Sequence, residues 1–176
     1  AGNISEESDT LNLTVDTTVP AKPTITTTTT LTNNATPTIE GTAEAGSTVE
    51  LFNGEGTKLG TTTADETIGA YTITTELRDG DYSLTVKATD AAGNISEESD
   101  TLNLTVDTTA PAQPTITTTT TLTNNATPTI EGIAEPNSTI NLINNGSTIG
   151  TATTNSSGTF VVTPSSGLTD GTYSLT

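Results

Sequence analysis

The sequence contains no cysteine, histidine, methionine or tryptophan. Without cysteine there are no disulfides, no thiol nucleophile and no thiolate metal site. Without histidine as well, the usual pairings of nucleophile and base cannot be built. Adjacent carboxylates occur at Glu6-Glu7 and Glu97-Glu98, but beside serine and glycine, with no apolar surroundings to raise a pKa. Asn53-Gly54-Glu55-Gly56 resembles a phosphate loop only in its glycines, since it lacks the lysine and the following helix. The chain therefore reads as non-enzymatic. Basic residues are also scarce. Four face 21 acidic ones, for a net charge of −17, which repels nucleic acid and anionic lipid and attracts cations, divalent ones included. No apolar run approaches the roughly 20 residues of a membrane span, so this segment is expected not to insert in a bilayer. There is neither a signal-peptide pattern nor an initiating methionine, and the chain is expected to be an excerpt of something longer, although a processed N-terminus gives the same beginning.

Threonine is abundant, at roughly a quarter of the residues. That composition suits either a mucin-like disordered segment or a β-rich fold, because a branched Cβ favours strands. Repetition and alternation decide for the fold. Ala1–Thr18 recurs unchanged as Ala92–Thr109, an offset of 91 residues, and Thr24–Gly41 recurs unchanged as Thr115–Gly132. Near-identical copies suit a part whose role scales with copy number. Apolar and polar residues alternate in Thr48–Phe52, Tyr71–Thr74, Tyr82–Ala88 and Leu102–Val106, and nothing sustains a helical period. Seven strands fit one period, near 24–30, 37–43, 48–53, 58–63, 70–75, 81–89 and 101–106, with Asn53-Gly54 as a hairpin dipeptide. The fold class expected is all-β: tandem immunoglobulin-like, Greek-key β-sandwich modules of seven strands each.

Counting strands places the boundaries. Residues 1–16 form the last strand of a preceding module, 17–107 a complete module, and 108–176 a module lacking its last strand. The strand at Leu11–Val15 then has no sheet of its own, and it is expected either to pair with the incomplete module of a neighbouring copy, giving head-to-tail assembly, or, if the chain is cut from a longer one, to need no such partner.

The runs Val15-Asp16-Thr17-Thr18-Val19-Pro20 and Val106-Asp107-Thr108-Thr109-Ala110-Pro111, with Gly41–Ser47, Gly80-Asp81-Tyr82 and Ala88-Thr89-Asp90-Ala91-Ala92-Gly93-Asn94, resemble the bacterial Ig-like repeats of giant secreted adhesins. The resemblance covers essentially the whole chain. It implies an extracellular, cell-surface protein of Gram-negative bacteria, exported by type I secretion (the RTX and Bap-like class, associated with biofilm). The modules of such proteins act as stalk extenders, contact their neighbours, and have joints stiffened by calcium. Carried over by position, the calcium site falls on Asp16 in the linker and Asp90 in the loop before the last strand, with Glu44 in the loop after the second strand. The incoming linker and both loops belong to one end of such a sandwich, and hard oxygen ligands gathered there suit calcium. The next joint would use Asp107 and Glu135, its third loop lying beyond Thr176. Asn137 stands where Gly46 does, so a different loop geometry is expected in that copy. Turn formation is the competing role for each aspartate. An alternative function, in which the modules grip a glycan or a host-surface protein, requires an exposed aromatic cluster, and the five aromatic residues are expected mostly in the core.

Overall fold

The computed structural model describes residues 1–176, and the chain divides into two units, Ala1–Thr109 and Ala110–Thr176. Unit 1 contains β1 (Thr24–Ile25), β2 (Leu31–Thr32), β3 (Thr38–Thr42), β4 (Thr48–Phe52), β5 (Lys58–Thr63), β6 (Ala70–Thr74), β7 (Gly80–Thr89) and β8 (Leu102–Val106). They form two sheets, ordered β1-β3-β6 and β2-β8-β7-β4-β5. Every second residue is buried in β4, β6, β8 and β7 from Leu84 onward: Val49 and Leu51, Tyr71 and Ile73, Leu84 and Val86, and Leu102, Leu104 and Val106. With Ile39, Ala64 and Leu77 they make one core. Period-two patterning thus gives each sheet an apolar inner face, and the two faces close on each other.

The unit has eight strands, not seven, because the first expected strand divides. Thr26 N–H donates to the Glu40 carbonyl (2.8 Å), and Thr27 Oγ1 then accepts from Glu40 N–H (2.8 Å). A hydroxyl has taken the place of a main-chain acceptor, and regular pairing with β3 stops there. The chain crosses to the other sheet, where β2 runs parallel to β8 with Leu31 opposite Thr105 and Thr32 opposite Val106. The Thr30 and Thr32 carbonyls accept from Thr105 and Asp107 N–H (2.8 and 2.9 Å). The expected two-residue hairpin at Asn53-Gly54 is also longer. Asn53 Oδ1 accepts from Glu55 and Thr57 N–H, and the left-handed residue is Gly56 (φ 78°).

The far half of β7 is completed by a segment that is not itself a strand. Ser96 and Ser99 are buried, and their hydroxyls accept from Ala88 N–H (2.9 Å) and Val86 N–H (3.0 Å). Their own N–H groups donate to the Ala88 and Val86 carbonyls (both 2.9 Å). Glu97 and Asp100 stay exposed between and beside them, and Glu98 and Asp100 pair with Lys87 (3.1 Å) and Lys22 (2.7 Å). Exposed pairs of this kind contribute little to stability.

Unit 2 contains five strands: β9 (Thr115–Ile116), β10 (Ile130–Ile133), β11 (Thr139–Asn144), β12 (Ser147–Thr153) and β13 (Thr159–Val162). They form the sheets β13-β10-β9 and β11-β12 around Ile140, Leu142, Phe160 and Val162. Seven strands per module is therefore corrected in both units. At the repeat offset Thr176 is level with Thr85, half-way along β7. Ile143 and Thr176 exchange both main-chain hydrogen bonds (2.7 and 3.0 Å), repeating the register of Phe52 with Thr85. Residues 1–16 form no strand, and Ile4, Leu11, Leu13 and Val15 are exposed. No helix is long and apolar enough to cross a membrane.

Candidate functional site: anchorage of the linkers

Asp90 follows the end of β7 and organises the loop that turns back toward β8. Its Oδ1 accepts from Ala92 N–H (2.9 Å) and Asn94 N–H (2.8 Å), an Asx turn of the kind aspartate favours. Gly93, at φ 93°, supplies a left-handed residue within the turn. Oδ2 accepts from Asn94 Nδ2 (2.9 Å), and that amide also donates to the Asp16 carbonyl (3.1 Å). The Asn94 side chain and the turn's backbone N–H groups hold the Asp90 carboxyl below the usual carboxylate range. Asp16 makes its own turn, its Oδ1 accepting from Thr18 N–H (2.9 Å). Asp16 and Asp90 therefore meet through Asn94, and Asp16 contributes its main-chain oxygen to that contact. Glu44 is exposed. Its carbonyl accepts from Ser47 N–H and Oγ (3.1 and 2.7 Å), while its carboxylate accepts no hydrogen bond.

The outgoing linker of unit 1 is held separately. Asp79, between β6 and β7, accepts from Thr108 N–H (3.0 Å) and Thr108 Oγ1 (2.6 Å) on Oδ1, and from Thr109 Oγ1 (2.8 Å) on Oδ2. These three donors, the Thr108 hydroxyl foremost, hold the Asp79 carboxyl below its ordinary range. Asp107 repeats the turn of Asp16, its Oδ1 accepting from Thr109 N–H (3.1 Å). In unit 2 the Glu135 carbonyl accepts from Ser138 Oγ (2.7 Å) and Thr154 Oγ1 (2.6 Å), fixing the loop after β10. Asn137 takes the left-handed conformation of Gly46 (φ 62° against 75°). The expected difference in loop geometry is therefore absent, because asparagine tolerates that region better than other side chains.

For a calcium ion the donors near Asp16 are of the right kind, being carboxylate and carbonyl oxygens only. Their arrangement here serves hydrogen bonding. Both Asp90 oxygens and Asp16 Oδ1 accept donors, no three acidic side chains gather into one group, and no buried side-chain polar atom lacks a partner. The roles of Asn94 and Asp79 were not foreseen. The signal available for them was the Asp-x-x-x-Asn spacing of an Asx loop, and a Thr-Thr pair one residue beyond β8.

None of the five aromatic residues is exposed. Tyr71 and Phe160 are buried, and Phe52, Tyr82 and Tyr173 are half-buried. Lys87 Nζ lies 5.9 Å from the centre of the Phe52 ring, over its face.

Residues 22–108 and 112–176 match the family model described as "Bacterial Ig-like domain". Comparison with curated proteins finds no match. Among solved structures the chain is similar to "Biofilm associated protein - BSP domain", at 22% identity and TM-score 0.39, over 88% of this chain and 26% of that one. It thus spans about a quarter of that structure. It is also similar to "Structures of Clostridium thermocellum CbhA fibronectin(III)-like modules", at 19% identity and TM-score 0.45, over 84% of this chain and 76% of that one.

Proposed function

Because the chain belongs to the bacterial Ig-like domain family, in which it supplies two modules, we propose that it is an extender: a stalk repeat of a bacterial cell-surface adhesin, carried outside the cell. The observation that supports this reading best is the treatment of the linkers. Val15-Asp16-Thr17-Thr18 and Val106-Asp107-Thr108-Thr109 are the same four residues. One is tied to unit 1 through Asn94, the other through Asp79. A sandwich that fixes both the chain entering it and the chain leaving it passes direction from one repeat to the next. An exposed aromatic platform for stacking a sugar is not offered, which leaves the glycan-binding alternative without support.

We further propose that calcium, shared by Asp16, Asp90 and Glu44, stiffens the entry to the module, and that the parent is a type I-secreted, Gram-negative adhesin of the RTX or Bap-like class. At a net charge of −17 the repeats repel one another, and a divalent ion offsets this locally. The test is small-angle scattering and thermal unfolding of the chain and of Asp79→Ala and Asp90→Ala, each in millimolar calcium and then in chelator. Expected are a wider distribution of chain extents for Asp79→Ala, with or without calcium, and a calcium-dependent rise in melting temperature that Asp90→Ala removes. Identical profiles for Asp79→Ala and the parent chain would overturn the extender reading. A melting temperature indifferent to calcium would overturn the metal alone.

A further inference from the structure

We infer that Asn53-Gly54 is a modification site, where the chain converts its own asparagine, with water alone, into an aspartyl or isoaspartyl residue. Asn-Gly occurs twice in the sequence, at Asn53-Gly54 and Asn145-Gly146. Glycine matters because its main-chain nitrogen, unscreened by a Cβ, can reach the side-chain carbonyl of the asparagine before it. Gly54 is exposed, and its N–H donates to no group of the chain. Asn53 Oδ1 accepts from Glu55 N–H (3.1 Å) and Thr57 N–H (2.8 Å), while Nδ2 makes no hydrogen bond. Nucleophile and leaving group are thus both free, and only the carbonyl oxygen is held. Negative charge gathers on that oxygen during attack, and two backbone donors at these distances are placed to stabilise it.

Water balances the step. Solvent hydroxide takes the Gly54 amide proton, and the nitrogen bonds to Asn53 Cγ while the carbonyl electron pair moves onto Oδ1. When that pair returns, the Cγ–Nδ2 bond breaks and Nδ2, taking a proton from water, leaves as ammonia. Water then opens the five-membered imide. Cleavage at Cγ leaves aspartate with the chain unaltered, and cleavage at the main-chain carbonyl leaves isoaspartate, with the backbone routed through the side chain. Two other residues each have half of this arrangement. Asn155 has the same pair of donors on Oδ1, Ser157 N–H (2.9 Å) and Thr159 N–H (3.0 Å). Ser156 follows it, however, and its Nδ2 donates to Thr159 Oγ1 (2.6 Å). Asn145 has its glycine, but its side chain makes no hydrogen bond, and it sits in the left-handed region (φ 47°) of a two-residue turn. Asn53 alone combines the two. In isoaspartate the Asn53 carbonyl, which accepts from Gly56 N–H (2.9 Å), leaves the main chain, and the turn between β4 and β5 gains a backbone carbon. The chemistry does not depend on the extender or calcium readings.

The test is incubation of the 176-residue chain in mildly alkaline buffer, with conversion at each asparagine followed by peptide mapping and mass spectrometry. Rates at Asn53, Asn145 and Asn155 are read side by side in the folded chain and in the chain denatured with guanidinium. Expected in the folded chain is conversion at Asn53 about tenfold faster than at Asn145, the worth of hydrogen bonds to a developing charge. Asn155 should lag behind Asn53 by at least as much, and isoaspartate should be among the products at position 53. In guanidinium the two Asn-Gly sites should convert at closely similar rates, because the Glu55 and Thr57 donors are no longer held in place. The variant Gly54→Ala should slow position 53 while keeping the fold, since a Cβ there meets only the Ser83 Cβ at 3.4 Å. An Asn53 that converts no faster than Asn145 in the folded chain would sink the inference. A lead for Asn53 that persists unchanged in guanidinium would belong to local sequence and sink it equally.

Discussion

Gly41 and Tyr71 show how tightly single residues are fixed in the complete unit. A Cβ on Gly41 would meet the Thr24 carbonyl and the Tyr71 ring and hydroxyl, and Tyr71 itself donates to that carbonyl (2.8 Å). Neither backbone nor a ring buried in the core yields easily, so Gly41→Ala is expected to cost about 1–3 kcal/mol, read as a lowered denaturant midpoint at unchanged slope. Burial pushes the Tyr71 phenol up to about 12. Raised above its ordinary value of 10.0, this group contributes stability that is fully present below pH 10.0 and is lost as pH rises through about 12. The fold is expected to resist alkali until that window. Tyrosinate absorbance from one phenol should then appear together with loss of the β-sheet circular dichroism signal, and Tyr71→Phe should separate the two. The carboxylates act at the opposite end of the scale. Asp79 and Asp90 are held below the carboxylate range, so their hydrogen bonds are in place above the ordinary aspartate pKa and are released only as pH falls below it.

At the scale of the element, identical sequences have unlike fates. Leu104 in β8 and Leu13 in the N-terminal stretch share twelve preceding and five following residues in common order. Leu104→Ala is expected to cost about 2–5 kcal/mol, whereas Leu13→Ala should leave the melting of the monomer unchanged, which a pair of thermal scans at low protein concentration would show. Strand formation here is decided by the partner sheet and not by the local sequence, as β-propensity in general is. The same reason sets what could be read from the sequence. Alternation in Val49–Leu51, Tyr71–Ile73 and Leu84–Ala88 revealed the inner faces directly, because burial of every second residue is a local signal. The division of 24–30 into β1 and β2 was not legible. It depends on Thr27 accepting from Glu40 and on Thr30 and Thr32 facing β8, and five consecutive threonines look alike in sequence. Ser96 and Ser99 were hidden for a similar reason: nothing local marks a hydroxyl that will complete β7. Of the linker site, the aspartates were legible from their motif, and Asn94 and the Asp79 anchorage were not, since both reach across 29–78 residues of sequence.

The whole molecule is two sandwich units of one family, differing in the size of the core each holds. Unit 1 has both sheets complete and a core reaching from Ile39 to Val106. Unit 2 has a core of four buried residues. The smaller core predicts two melting transitions, the lower belonging to unit 2, and calorimetry should resolve them.

One detail of unit 1 matters under tension. In a tandem array a pull is carried along the chain, and in unit 1 the entering chain passes β1 and then reaches β2, while the leaving chain departs from β8. These two strands are parallel. Opposed forces applied to the start of one and the end of the other slide them past each other, so their hydrogen bonds are loaded side by side in shear rather than opened in succession like a zipper. The short crossing at Thr26–Thr30, which looks like an interruption of the first strand, is what places β2 there, so that the strand after the crossing and the leaving strand share a load in shear.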